Sequence, residues 1–254
     1  METNLVLGLP LNTISFYSFV FGATLLQYNL HYLLKKSAVK DSDRLAWSQK
    51  NNPTHWLLIC VALILITVSL FTFHLRHFVF LLIIGGISFL YSVPVLPFKR
   101  KRIKDFGLLK ILTITLLWTL VTVWFPIEQI FYGDLSFQLI FVRRFIFIFI
   151  LCLMFDIRDV EIDRKENIKT LPVITGVRRA YQVGYILLVI FILLSVIQTI
   201  VIHNIAQLSA MIISAVATFL MIQYSKKNNT DFVYLAGIDG MMLLQALLVI
   251  IGTI

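Results

Sequence analysis

The chain has 254 residues, of which 59% are hydrophobic and 14% charged, and a formal net charge of +9; its mean hydropathy is +0.90. A soluble domain is roughly 45–50% apolar and about 25% charged, so a water-soluble globular protein is excluded and a bundle embedded in lipid is implied. The basic residues lie in short loops between apolar runs rather than on one soluble face, which argues against a nucleic-acid partner.

Met1 to Pro10 contain no Lys or Arg, and no small-residue cleavage site follows the first apolar run. That run is therefore expected to remain as a span and not to be removed as a signal peptide. Runs near the roughly 20 residues needed to cross a bilayer are Leu11–Leu34, Trp56–Phe73, Phe78–Val95, Phe106–Phe125, Leu135–Phe155, Tyr181–Ile202, Ile205–Tyr224 and Phe232–Ile254. They are continuous instead of alternating, and a helix satisfies every backbone group within one segment. The expectation is an all-α, polytopic transmembrane helical bundle of about eight spans, one integral membrane domain over residues 1–254. Arg143 and Arg144 interrupt the fifth span, and Cys60 and Cys152 fall inside apolar runs, where they read as buried small hydrophobes.

One set of loops, with Lys110 at an adjoining span end, holds 19 of the 22 Lys and Arg residues. The other side holds Arg76, joined by Arg143 and Arg144 if they snorkel outward. The basic loops are expected in the cytoplasm and both termini outside.

In the loop after the fifth span, Asp156, Asp159 and Asp163 are spaced by three and four, which on one helix places them within an arc of roughly 60° while Glu161 points away. Carboxylates so close repel one another, and a divalent metal would remove the conflict. Mg²⁺ is characteristically held by one or two carboxylates plus substrate phosphates, so the face suits a phosphorylated lipid-like substrate. The competing reading is a solvated loop in which Arg158, Arg164 and Lys165 pair with the acids. In Tyr91-Ser-Val-Pro-Val-Leu-Pro, Pro94 and Pro97 end the third span, and Lys99, Arg100, Lys101, Arg102 and Lys104 follow. This cluster could neutralise a diphosphate or anchor the loop to anionic headgroups. Asp239, deep in the last run, is expected to face inward because an acid exposed to lipid there is costly. It would line a substrate cavity with Gln245 or pair with Lys110.

Tyr-Ser-x-Pro before a basic loop, followed two spans later by Asp-x-x-Asp-x-x-x-Asp and Lys169-Thr170-Leu171-Pro172-Val173 with Gly176, resembles the UbiA superfamily of intramembrane prenyltransferases. The resemblance covers most of the chain from Tyr28 onward. It implies helices around a central cavity, Asp156, Asp159 and Asp163 as metal ligands, Mg²⁺ as cofactor, and a prenyl diphosphate and a lipophilic, often aromatic acceptor as partners. Asn29, Lys99, Arg100, Arg102, Lys104 and Asp239 become the candidate substrate-binding residues. Membrane lipid is the remaining partner; no protein partner is expected. The site is expected on the cytoplasmic side of an inner or plasma membrane.

The chain departs from the family pattern in its first acidic motif, where Asn29 is kept but Leu30, Leu33 and Ser37 stand at the acid positions. His31 would be a polar substitute or an ordinary interfacial histidine. The family usually has nine spans, as though this chain began at the second. The expected function is a divergent prenyltransferase. The alternatives are a non-catalytic isoprenoid-binding or scaffold protein and, more distantly, a small-molecule transporter.

Overall fold

The computed structural model describes residues 1–34, 51–93, 102–127 and 131–253, and every regular element among them is helical. In chain order these are α1 (Glu2–Val6), α2 (Ile14–Leu34), α3 (Asn52–Leu70), α4 (Leu75–Ser92), α5 (Gly107–Thr119), α6 (Leu135–Arg158), α7 (Val160–Lys165), α8 (Leu171–Thr175), α9 (Val177–Ile202), α10 (Ile205–Lys227) and α11 (Gly240–Thr253). A 3₁₀ turn, Ile103–Asp105, precedes α5; π-helical turns Leu120–Trp124 and Val233–Ile238 follow α5 and precede α11.

A long helix coincides with each predicted run. Among the described residues, five stretches are long and apolar enough to cross a membrane: Asn52–Leu70, Gly107–Trp124, Val177–Ile202, Ile205–Lys227 and Val233–Gly252. The other three helices depart for visible reasons. Helix α2 carries Gln27, Asn29 and His31, α6 carries Arg143, Arg144, Asp156 and Arg158, and the apolar part of α4, His77–Ser92, is short.

Local chemistry sets the helix ends. Pro53 opens α3, where its missing N–H costs nothing. The Asn204 side chain accepts from the Gln207 N–H at 3.0 Å to cap α10. Gly176, at φ +89°, ends α8 and starts α9 in a backbone conformation that side chains disfavour.

The chain divides into two compact units, Asn12–Leu82 and Met1–Leu11 with Ile83–Ile254. In the smaller unit, α2 lies against α3 at Gly22, where a Cβ would stand 3.1 Å from the Ala62 carbonyl. In the larger unit, α6 is the central helix, and Phe147, Ile150, Leu153 and Met154 are fully buried against its neighbours. Outward residues such as Ile186, Leu193 and Ile200 of α9 are exposed, as expected of a face turned to lipid tails. Buried hydroxyls of Thr119, Ser195 and Thr218 donate back to carbonyls four residues earlier, which satisfies them without another helix.

Three expectations change here. Cys60 is exposed and Cys152 half-buried, because a membrane helix is apolar on its outer surface as well as its packed one. Arg143 and Arg144 are buried instead of snorkelling, since α1 folds back and brings Glu2 into an ion pair with Arg144. Gln245 is not free to line a cavity with Asp239: its Oε1 accepts from Arg144 at 2.6 Å and its Nε2 donates to Ser214 Oγ at 3.4 Å.

Candidate functional site

The acidic segment does not form one continuous helix. Helix α6 ends at Arg158, Asp159 sits at the break with ψ +7°, and α7 starts afresh at Val160. The break separates the three carboxylates that straight-helix geometry would align. Asp156 and Asp163 are both buried and converge on the Lys110 ammonium, at 3.0 Å and 3.2 Å. Asp159 instead stays partly exposed and pairs with Arg158 at 2.7 Å. The Arg158 guanidinium is anchored in turn over the Phe155 and Tyr234 rings, 5.0 and 5.3 Å from their centroids, with Asp231 Oδ1 at 3.5 Å.

A close backbone approach places Lys110. A Cβ on Gly107, at the first position of α5, would lie 1.9 Å from the Lys169 carbonyl oxygen and 2.4 Å from the Thr170 nitrogen. Only glycine permits this contact. It seats the start of α5 on the segment that leads into Leu171-Pro172, and Lys110, three residues further along α5, then reaches both acids.

Burial pushes the Asp156 carboxyl up to about 6, an effect that Lys110 partly offsets and the charges of Asp163 and Asp159 reinforce. Burial raises the Asp163 carboxyl likewise, again partly offset by Lys110. The residues suit a divalent cation on one further observation: Asp156 Oδ2 is buried and has no hydrogen-bond partner. Among the described residues no three His, Cys, Asp or Glu side chains gather closely enough to hold a metal by themselves. A hard cation on this pair would draw its remaining oxygens from a bound ligand and water.

Of the predicted cations, Arg102 is held by Asp105, with Nε–Oδ1 at 3.1 Å and Nη2–Oδ1 at 2.9 Å. Burial alone would raise the Asp105 carboxyl, but this pairing holds it below its usual value. The charges of Arg102, Asp156 and Asp163 all act on the Tyr91 hydroxyl, which places Tyr91, near the end of α4, within electrostatic reach of the acidic pair. Lys104 lies in the adjoining 3₁₀ turn. Lys99 and Arg100 fall outside the described residues. Asp239 is accessible where the π turn meets α11, and its charge reaches Cys152 of α6. In the other unit, Asn29 is buried and engaged, its Oδ1 2.7 Å from His55 Nδ1 and its Nδ2 donating to the Leu25 carbonyl.

Sequence reasoning missed Lys110 as the partner of the acids, and His55. The solvated-loop reading holds for Arg158 with Asp159 and for Arg164 with Glu161, but not for the buried pair. A Lys at the start of an apolar run was the available signal for Lys110, though not for its partner.

The profile of the UbiA prenyltransferase family matches residues 38–231. A solved UbiA homologue from Archaeoglobus fulgidus superposes with a TM-score of 0.62 at 18% identity, over 99% of this chain and 91% of that one. The A. fulgidus homologue bound to GPP and Mg²⁺ superposes with a TM-score of 0.56 at 19% identity, over 94% of this chain and 82% of that one. The Cd²⁺-bound form gives 0.58 at 17%, over 96% and 87%. At these identities the likeness shows the fold. No curated protein matches the sequence.

Proposed function

This chain belongs to the UbiA prenyltransferase family, and on that premise we propose that it moves an isoprenoid group from a prenyl diphosphate to a lipophilic acceptor within the membrane. The observation that carries the reading is the buried pair Asp156 and Asp163, converging on Lys110 with an unpartnered carboxylate oxygen on Asp156. That arrangement supports two carboxylates holding Mg²⁺ on a diphosphate, with Asp159 joining once it leaves Arg158. The bound ion would supply Lewis-acid neutralisation of charge on the leaving diphosphate.

The chain's own residues do the rest. Arg102 and Lys104, with Lys99 and Arg100, offer cations to the remaining phosphate oxygens. Asp239 is the remaining proposed substrate contact in this unit, Asn29 on α2 is a separate candidate contact, and the excess of Lys and Arg in the loops supports a cytoplasmic site. A solved homologue that binds GPP with Mg²⁺ supports this substrate class.

Leu30 and Leu33, standing where the family carries acids, favour one second reading: a protein that binds the prenyl diphosphate without turning it over. The test is binding and diphosphate release by purified protein with and without MgCl₂. Binding is expected to need the metal and to fall at least tenfold in Asp163→Asn, while Glu161→Gln, exposed and paired with Arg164, stays near wild type. Metal-dependent binding without release selects the second reading. Metal-independent binding, unchanged in Asp163→Asn, removes the prenyltransferase mechanism.

A further inference from the structure

Asp156 and Asp163 carry two negative charges and Lys110 returns one, while Asp159 is already matched by Arg158. Both carboxylates are buried, and the Lys110 side chain is only 19% exposed. All three of its donor interactions go to these acids, one to Asp156 Oδ1 at 3.0 Å and two to the oxygens of Asp163 at 3.2 and 3.3 Å. A free divalent cation arriving here must displace an ammonium that then has no anion to go to. A cation arriving with a diphosphate brings anionic oxygens that can accept the ammonium as the carboxylates release it.

We propose that Lys110 is a resident counter-cation that makes the acidic pair selective for a divalent cation delivered with a diphosphate, against the free cation. The lysine is suited to such an exchange. Its Cα is fixed by the Gly107 contact at the start of α5, yet its four-carbon stem lets a compact point charge move between acceptors, which a planar guanidinium fork does less readily. The unpartnered Oδ2 of Asp156 marks the coordination that Lys110 leaves unfilled. The inference rests on the proposed diphosphate chemistry for its second half and on the geometry alone for its first.

The test follows unfolding temperature in detergent, where a ligand that binds the folded state raises it, for wild type, Lys110→Gln and Lys110→Arg. Each is measured with MgCl₂ alone, sodium diphosphate alone, and both. Wild type is expected to respond only to the combination, and Lys110→Arg likewise but more weakly, since its fork exchanges acceptors less readily. Lys110→Gln is expected to respond to MgCl₂ alone, with an apparent affinity at least about tenfold tighter than wild type, and to gain less from added diphosphate, because coupling between two ligands is reciprocal. If Lys110→Gln folds only when MgCl₂ is present, that too supports the exchange.

A wild type that responds to MgCl₂ alone as strongly as Lys110→Gln overturns the inference and leaves the proposed function standing. So does a Lys110→Gln that fails to fold with or without metal while Lys110→Arg folds, since the lysine is then a structural bridge. A Lys110→Gln that gains the MgCl₂ response, beside a wild type that ignores MgCl₂ with diphosphate, keeps the counter-cation and overturns the diphosphate reading.

Discussion

Gly107→Ala tests the positioning of the site more directly than a change to any of its charged members. In the middle of a helix alanine is favoured over glycine by about 1 kcal/mol, so propensity alone forecasts at worst no loss. The structure forecasts the opposite sign. The new methyl would stand 1.9 Å from the Lys169 carbonyl oxygen and 2.0 Å from its carbon, both backbone atoms with no rotamer to escape into. Restoring even a tight contact near 3.0 Å moves α5 and the Lys169–Thr170 segment apart by more than 1 Å. Overpacking of this kind costs about 1–3 kcal/mol. The same shift stretches the 3.2 Å Lys110–Asp163 contact beyond a direct hydrogen bond. Denaturant unfolding in micelles should therefore show a loss of about 1–3 kcal/mol, together with weaker diphosphate binding. Gly86→Ala in α4, where a Cβ meets nothing within 4 Å, is the control and should be neutral or stabilising. Wild-type stability in Gly107→Ala, or an equal loss in Gly86→Ala, would refute the close approach as the device that places Lys110.

Two further outcomes follow from buried polar pairs. His55→Ala should cost about 1–3 kcal/mol by stranding the buried Asn29 amide oxygen, and the double change with Asn29→Ala should cost less than the sum of the singles in a double-mutant cycle. Arg144→Met should destabilise by about 3–5 kcal/mol by leaving Glu2 buried without its cation. Adding Glu2→Gln should restore much of that loss, and a double variant no more stable than Arg144→Met would contradict the pairing.

The apolar run lengths alone located the long helices among the described residues, five of them long and apolar enough to cross a membrane, because a segment surrounded by lipid must satisfy its backbone internally and must be long enough to cross. The spacing of Asp156, Asp159 and Asp163, the Lys-Thr-Leu-Pro-Val segment and Tyr91-Ser-Val-Pro were equally legible, and they carried the family. Which faces pack was not legible: in a membrane helix the outer surface is as apolar as the inner one, so the helical period loses most of its information. The same blindness hid α1, whose Glu2 neutralises Arg144 only once the chain folds back on α6. Spacing put the three acids on one face because it assumed a continuous helix. The break at Asp159 divides them into a buried pair and a partly exposed third member. Lys110 lies 46 residues from Asp156, and only the seating of Gly107 on the Lys169 backbone brings its charge between the two carboxylates.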